Sequence, residues 1–283
     1  MTQQAEQSST TSLLSSSLPP RPKILMAINQ EVQKDNVNFG SVARLISEDV
    51  SISSAVLKIV NSPAFRRPTA IGSIDQALNL LGLKRVIAIV NTVAIRNAIK
   101  SKYNLEEFWE FGTIVGNVGL MFAQQCKQLT LMDDAYTLGL FHDACSSFLM
   151  NLHADYYDFF TQANNEGWIL SIAEEEKKYG TTHNILGALM AQIWNLPEHI
   201  VMAIYHLHNS NQALANSDDS DKSMMLLSIL KCAREIARFH QFNKPNNPEW
   251  LHCKTLVLEY LGLDDVDFIE MQNAIVEKMD GIA

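Results

Sequence analysis

A histidine and an aspartate stand side by side at His142-Asp143, directly after the apolar run Tyr136-Thr137-Leu138-Gly139-Leu140-Phe141. The run predicts a largely buried helix. Neighbouring helix positions point about 100° apart, so this imidazole and carboxylate address a common point only between their two directions. A metal ion can occupy such a point, and a buried aspartate is costly unless paired or coordinated. The dipeptide alone fits a hydrogen-bonded polar pair at a helix surface equally well. Three further histidines fall where helices begin or end: His183 after Gly180, then His206 and His208 near the end of the next helix. His206 and His208 point about 200° apart, so at most one faces any given site. Histidines near the last carbonyls of a helix also have a purely structural explanation.

A second set of candidates is cationic. Arg85, Arg96 and Lys100 are separated by close to whole numbers of helical turns and share one face, which Lys84 and the Arg66-Arg67 pair extend. This face reads either as solvated surface or as a docking site for an acidic partner or anionic ligand. No aromatic interleaving accompanies it, so nucleic-acid binding would rest on charge alone and is not expected. The net charge of −9 conceals an asymmetry. Residues 21–102 carry 12 Lys and Arg against 5 Asp and Glu, whereas residues 103–283 carry 10 against 25. Two lobes of opposite sign follow, which either attract each other or leave the basic one for an anionic partner.

The elements that position these residues are helical. The 283 residues are 47% hydrophobic and 19% charged, a globular composition. Apolar residues recur at three and four in Ile24, Leu25, Ile28, Val32, again in Val56, Ile59, Val60, and again in Val86, Ile89, Val90, Val93. Ser73-Ile74-Asp75-Gln76 and Ser171-Ile172-Ala173-Glu174 have the form of capping boxes, with Gly82 and Gly180 as stops. Asn195-Leu196-Pro197-Glu198 sets proline in a first helical turn. No hairpin signal appears, and the fold class is all-α and multi-helical. The pattern predicts, among others, one helix over 133–151, one over 172–179, one over 183–194 and one over 222–241, with 210–221 as a polar loop. Residues 1–20 read as a disordered polar tail, 21–104 as a basic N-terminal helical lobe, 105–245 as a second helical lobe, and 246–283 as helices packed on it. The stretch Leu78 to Ile99 is interrupted by Lys84, Arg85, Asn91 and Arg96, so no membrane span or membrane partner is expected. Without a basic and apolar leader, and with four cysteines in no CxxC spacing, the chain reads as cytoplasmic with buried thiols.

Several runs together resemble the HDOD family, the HD-related output domain of bacterial signalling proteins. They are Ile46 to Ile52, Leu57 to Phe65 and Ile74 to Gly82, followed by Gly139-Leu140-Phe141-His142-Asp143, His183 with Gly187, Trp194-Asn195-Leu196-Pro197, and Ala203 to His208. The resemblance covers roughly residues 20–240. It implies two helical lobes, the second HD-like, and kinship to the metal-dependent HD phosphohydrolases. Those enzymes hold metal through an upstream histidine, the His-Asp pair and a late aspartate, with extra histidines in two-metal members. The resemblance aligns His142, Asp143, His183 and His208 with that ligand set. It puts Phe111 at the first-histidine position and Arg234 at the late-aspartate position. Phenylalanine has no donor atom, and a guanidinium offers a metal no lone pair.

The expected function is therefore a non-catalytic signalling or regulatory domain that acts by contact with a protein partner and requires no cofactor. One alternative is a metal-dependent phosphohydrolase or cyclic-nucleotide phosphodiesterase, with a divalent ion on the reduced ligand set. The other is a nucleotide or second-messenger receptor. Within the pocket, either a metal sits on the four remaining ligands or Arg234 itself neutralises Asp143, the reading preferred here because a cation is already present.

Overall fold

Caps and apolar stripes place the helices of residues 19–100, the first of two units into which the chain divides. The structure is a computed structural model that describes residues 16–61, 69–99, 101–218 and 220–281. In the first unit lie α1 (Lys23–Val32), α2 (Phe39–Glu48), α3 (Val50–Val60), α4 (Ile74–Leu81) and α5 (Leu83–Ala98). Asn38 Oδ1 accepts the Ser41 amide at 3.1 Å to open α2, and Asp49 Oδ1 accepts the Ile52 amide at 3.0 Å to open α3. Ser73 Oγ accepts the Gln76 amide at 3.2 Å, as a capping box requires. The return arm differs: Gln76 Oε1 takes the Gly72 amide at 2.7 Å, one residue earlier than expected. Asn61 ties the next segment down, its amide donating to Ile71 O at 2.8 Å while its oxygen accepts the Ile71 N–H at 2.7 Å. The stripes Ile28, Val42, Ile46, Val56, Leu78 and Ile89 are all buried.

Among the described residues, the second unit comprises residues 101–281 together with residues 16–18. It contains α6 (Glu106–Gln125), a 3-10 turn (Leu129–Leu131), α7 (Met132–Phe141), α8 (Ser146–Leu152), α9 (Tyr156–Glu166), α10 (Trp168–Tyr179), α11 (His183–Ile193), α12 (Glu198–Tyr205), α13 (Ser210–Ala215), α14 (Lys222–Phe242), α15 (Pro248–Leu261) and α16 (Asp265–Asp280). The described residues contain no strand. The most extensive packing joins α6 to α7, whose backbones touch: a Cβ on Gly139 would lie 2.5 Å from Gly116 Cα and N. Only glycine permits this approach, and it sets the end of α7, with His142, against α6. Helix α14 runs through the middle of the unit, buried from Leu226 to Ala237 and packed on α6, α7, α12 and α15. The C-terminal helices pack here too, α15 on α14 and α16 on α6.

Five local expectations change. The helix expected over 133–151 is broken at His142–Cys145, where Ala144 N–H bonds Phe141 O at 3.0 Å and Ser146 N–H bonds Asp143 O at 2.9 Å. His142 and Asp143 therefore sit on a tight turn and not within a helix. Ser171 is not a cap: α10 begins at Trp168 because Gly167, at φ +92°, turns the chain there, and Ser171 Oγ instead donates to Gly167 O at 3.3 Å. Pro197 precedes α12 as its N-cap residue, and the 210–221 loop contains the short α13. Leu18, placed in the polar tail, is buried; the tail's first 15 residues lie outside the described residues. Among the described residues no helix is long and apolar enough to cross a membrane. Cys145, Cys232 and Cys253 are buried free thiols, and Cys126 is half-buried.

Candidate functional site

The turn after α7 presents His142 and Asp143 to the start of α11, the segment after α12, and the middle of α14. Its two residues are 2% and 7% exposed. His142 Nδ1 donates to Gly139 O at 2.7 Å. Its Nε2 lies 3.1 Å from Asp143 Oδ2, close enough for Coulombic attraction but without hydrogen-bond alignment. His183 opens α11, and its Nδ1 lies 3.0 Å from both oxygens of Glu175 on α10. Its backbone N–H also donates to Glu175 Oε1, at 3.0 Å, and Tyr156 O–H donates to the same oxygen. His208, beyond α12, sets Nδ1 at 2.9 Å from Glu249 Oε1, and Lys231 of α14 donates to that carboxylate as well. His206 turns away to Asn209, 3.1 Å distant, so one of the two late histidines reaches the site, as their spacing predicts.

All three imidazoles thus have Nδ1 fixed by an oxygen and Nε2 aimed inward. The Nε2 atoms of His183 and His208 are 2.9 Å apart. Two ring nitrogens at that separation share one proton, one donating and the other accepting. Burial pushes His208 down to about 4, against the pull of Glu249. Burial also acts to lower His183, but Glu175 and Asp143 overcome it and hold the group above its ordinary value. These opposed shifts favour His183 as the donor of the shared proton and His208 as its acceptor. The Trp168 ring lies over both imidazoles, with centroids 4.3 and 4.9 Å away.

Arg234 closes the other side. Its Nη1 is 3.4 Å from Asp143 Oδ1, and its Nη2 donates to Asn164 Oδ1 at 3.3 Å. Burial alone would raise the Asp143 carboxyl, but the Arg234 guanidinium, His142 and His183 outweigh it and hold it well below the usual carboxylate range. Burial likewise opposes ionisation of Glu249, and Lys231 with His208 keeps it well below its ordinary value. Phe111 shares with His142 and Asp143 the lining of a cavity of about 40 Å³, room for a little water.

The four candidate ligands, His142, Asp143, His183 and His208, are thus gathered with Phe111 and Arg234 at one place. A metal fits this set poorly. Asp143 already accepts from a guanidinium, His183 and His208 satisfy each other, and Phe111 contributes no donor. Among the described residues no group of three or more His, Cys, Asp or Glu is arranged to hold a metal ion.

Of the basic face, Arg85 and Arg96 are half-buried and already engaged in interactions, while Lys84 is exposed. Arg66, Arg67 and Lys100 lie outside the described residues. Sequence reasoning missed Glu175, Glu249, Lys231, Asn164 and Trp168. Glu175 stands within a three-glutamate run that reads as solvated surface. Lys231 did carry a signal, since it precedes Arg234 by three residues on one face of a helix.

The sequence profile of the HDOD domain matches residues 18–210. An uncharacterized protein of Treponema pallidum is 25% identical over 193 residues, 68% of this chain and 38% of its own length. CdgJ of Vibrio cholerae, a cyclic di-GMP phosphodiesterase, is 28% identical over 129 residues, 43% of this chain and 28% of its own. The chain therefore spans well under half the length of these two relatives. An HDOD domain protein of unknown function from Geobacter sulfurreducens has a crystal structure that superposes with a TM-score of 0.64 at 22% identity, over 96% of this chain and 97% of that one. That likeness speaks for the fold, and the profile covers most of the chain, including the turn that carries His142 and Asp143. The chain belongs to the HDOD domain family, which is associated with signalling.

Proposed function

We propose that this chain is a non-catalytic signalling module whose HD-type pocket is closed by its own side chains, and which passes on its state by contact with a protein partner. The observation that carries this reading is the guanidinium of Arg234 on Asp143, where a hydrolase would place a metal cation. Activating water at neutral pH requires a firmly held ion with an open coordination position. Here the positive charge is supplied by a group that is always protonated and offers no coordination position at which a bound water could be acidified. The proton between His183 and His208 occupies the space between the two nitrogens that would otherwise face an ion.

A competing reading has support of its own. Imidazoles anchored through Nδ1 to carboxylates or a carbonyl are the outer arrangement that metal-binding histidines use. The name of the Vibrio relative adds that a protein of related sequence is a cyclic di-GMP phosphodiesterase. On this reading Arg234 swings away and a divalent ion joins His142, Asp143, His183 and His208. Elemental analysis of protein purified without chelator, with a turnover assay on cyclic dinucleotides in added manganese or iron, separates the two. The closed-pocket reading expects metal far below one ion per chain and no turnover. Stoichiometric metal with turnover overturns it.

A further inference from the structure

One face of α14 carries three cations, Lys231, Arg234 and Arg238, spaced by three and four residues. The first is neutralised by Glu249 and the second by Asp143. The third is not. Arg238 is half-buried, its Nε is fully buried without a partner, and among the described residues it forms no hydrogen bond or ion pair. The rest of the guanidinium is within reach of water, and an anion entering beside it can take the place of that water.

Arg238 lines a pocket of about 250 Å³ whose walls include Phe108, Phe111, Tyr157, Phe160 and Phe242. Aromatic faces on several sides favour a flat ring, which stacks on them without demanding a particular hydrogen-bond pattern. The planar fork of an arginine matches a carboxylate or a phosphate. Lys244, exposed at the same pocket, adds a second positive charge, and Glu107 offsets one of the two. The remaining balance suits a group of low charge and disfavours a polyphosphate. The volume lies just under the range of about 300–1,000 Å³ usual for ligand sites, enough for one ring system and one anionic group.

We propose that this pocket binds a small aromatic anion, a single flat ring system carrying one phosphate or carboxylate, with Arg238 as its anion-binding group. The claim concerns binding alone and holds whether or not the neighbouring His142-Asp143 site turns anything over. An occupant would nevertheless be felt there. Phe108, Phe111, Phe160 and Asn164 line both this pocket and the small cavity at Asp143, and Asn164 Oδ1 accepts from Arg234 and, at 3.0 Å, from Trp168 Nε1.

The test is calorimetric titration of the full chain with guanosine 5′-monophosphate and with indole-3-acetate, inorganic phosphate serving as the ringless control. At least one aromatic probe binds with a Kd below about 1 mM, and phosphate alone does not. Which probe binds tells a nucleotide from an aromatic carboxylic acid. Arg238→Gln weakens that binding by about tenfold or more, as loss of a charge-assisted bidentate contact requires. Phe242→Ala, a change at a ring that is 44% exposed, weakens it as well. Neither probe binding, phosphate binding as tightly as the aromatic anions, or either variant binding like the wild type would each overturn the proposal.

Discussion

Residues 19–100 and residues 101–281 are built from the same kind of helix and bury different things. In the first unit the buried polar residues among those described are Asn91 and Thr92, and Thr92 is satisfied by Ala88 O at 3.0 Å. In the second, Asp143, Glu175, Lys231, Arg234, Glu235 and Glu249 are all buried, together with His142 and His183. Apolar burial is favourable at about 25 cal/mol per Å² wherever it occurs. A buried ion is different: desolvation costs several kcal/mol, and partners of good geometry are needed to recover it. Apolar burial accounts for the first unit's interior apart from Asn91, whose Oδ1 is buried without a partner. The second carries a charged cluster that apolar burial does not explain, and the candidate site lies within it.

The largest effect is expected where that cluster is cut. Arg234→Ala leaves Asp143 buried with its main cation gone, and breaking a buried pair in this way costs about 3–5 kcal/mol. The 3.4 Å separation places this pair near the lower end. Urea unfolding measures it. Joint replacement, Arg234→Met with Asp143→Leu, is expected to be neutral or stabilising by about 1–4 kcal/mol, because neither charge is then left alone. Arg234→Asp restores a carboxylate and is expected to raise zinc affinity in a competition titration. A neutral Arg234→Ala would erase the contrast between the two units.

Acid sharpens the contrast at the next level. His208 is depressed from its ordinary value to about 4, so its contribution is fully present above the unfolded histidine pKa and is lost as pH falls toward 4. A shift of that size corresponds to on the order of 3 kcal/mol. His183 is raised and behaves oppositely: its contribution is present below the unfolded pKa and is lost as pH rises through the folded one. Asp143 and Glu249, both depressed, contribute fully above the unfolded carboxylate pKa and lose that contribution progressively as pH falls from there through the folded one. Hydrogen exchange resolved by helix should therefore show α11 and α12 losing protection between about pH 6.5 and 4, ahead of α2 and α3. His208→Gln should flatten that acid limb. Simultaneous loss in both units would contradict the assignment.

What the sequence disclosed follows the same division. The first unit was legible because its helices are amphipathic and its caps are local: Ser73, Asn38 and Asp49 bond amides three residues away. The break at His142 was hidden because the apolar run continues through it, and only contact with α6 forces the turn. Glycines 116 and 139 mark that contact, but their pairing is a tertiary fact. At the site, residue types and the HDOD resemblance named His142, Asp143, His183, His208, Phe111 and Arg234, which the fold gathers. Their supports escaped notice because an oxygen that orients an imidazole has no fixed offset in sequence. Glu175 is eight residues from His183, but Glu249 is 41 from His208.

A smaller expected effect belongs to the caps of the first unit. Ser73→Ala removes the acceptor for the Gln76 amide and should cost about 1 kcal/mol, with Ser73→Gly costing less. The change should lower the denaturation midpoint without altering the denaturant slope, since compactness is unaffected. A loss as large as that of Arg234→Ala would mean that the polar contacts of this unit are more than local, and the contrast would weaken.

The smallest effect compares cations directly. Lys84 is exposed at the start of α5, and an exposed charge change alters stability by no more than about 0.5 kcal/mol. Lys84→Glu should thus leave the melting temperature nearly unchanged. If the basic excess of residues 21–102 steers an acidic partner, the same substitution slows association, and raising salt removes the difference between variant and wild type, because exposed charges are screened beyond about 10 Å at 0.1 M. Arg85, one residue on, is half-buried and engaged, so Arg85→Glu should lose stability as well. The adjacent pair therefore separates steering from structure within one turn of one helix. Equal destabilisation by both reversals would show that this charge belongs to the fold and not to encounter with a partner.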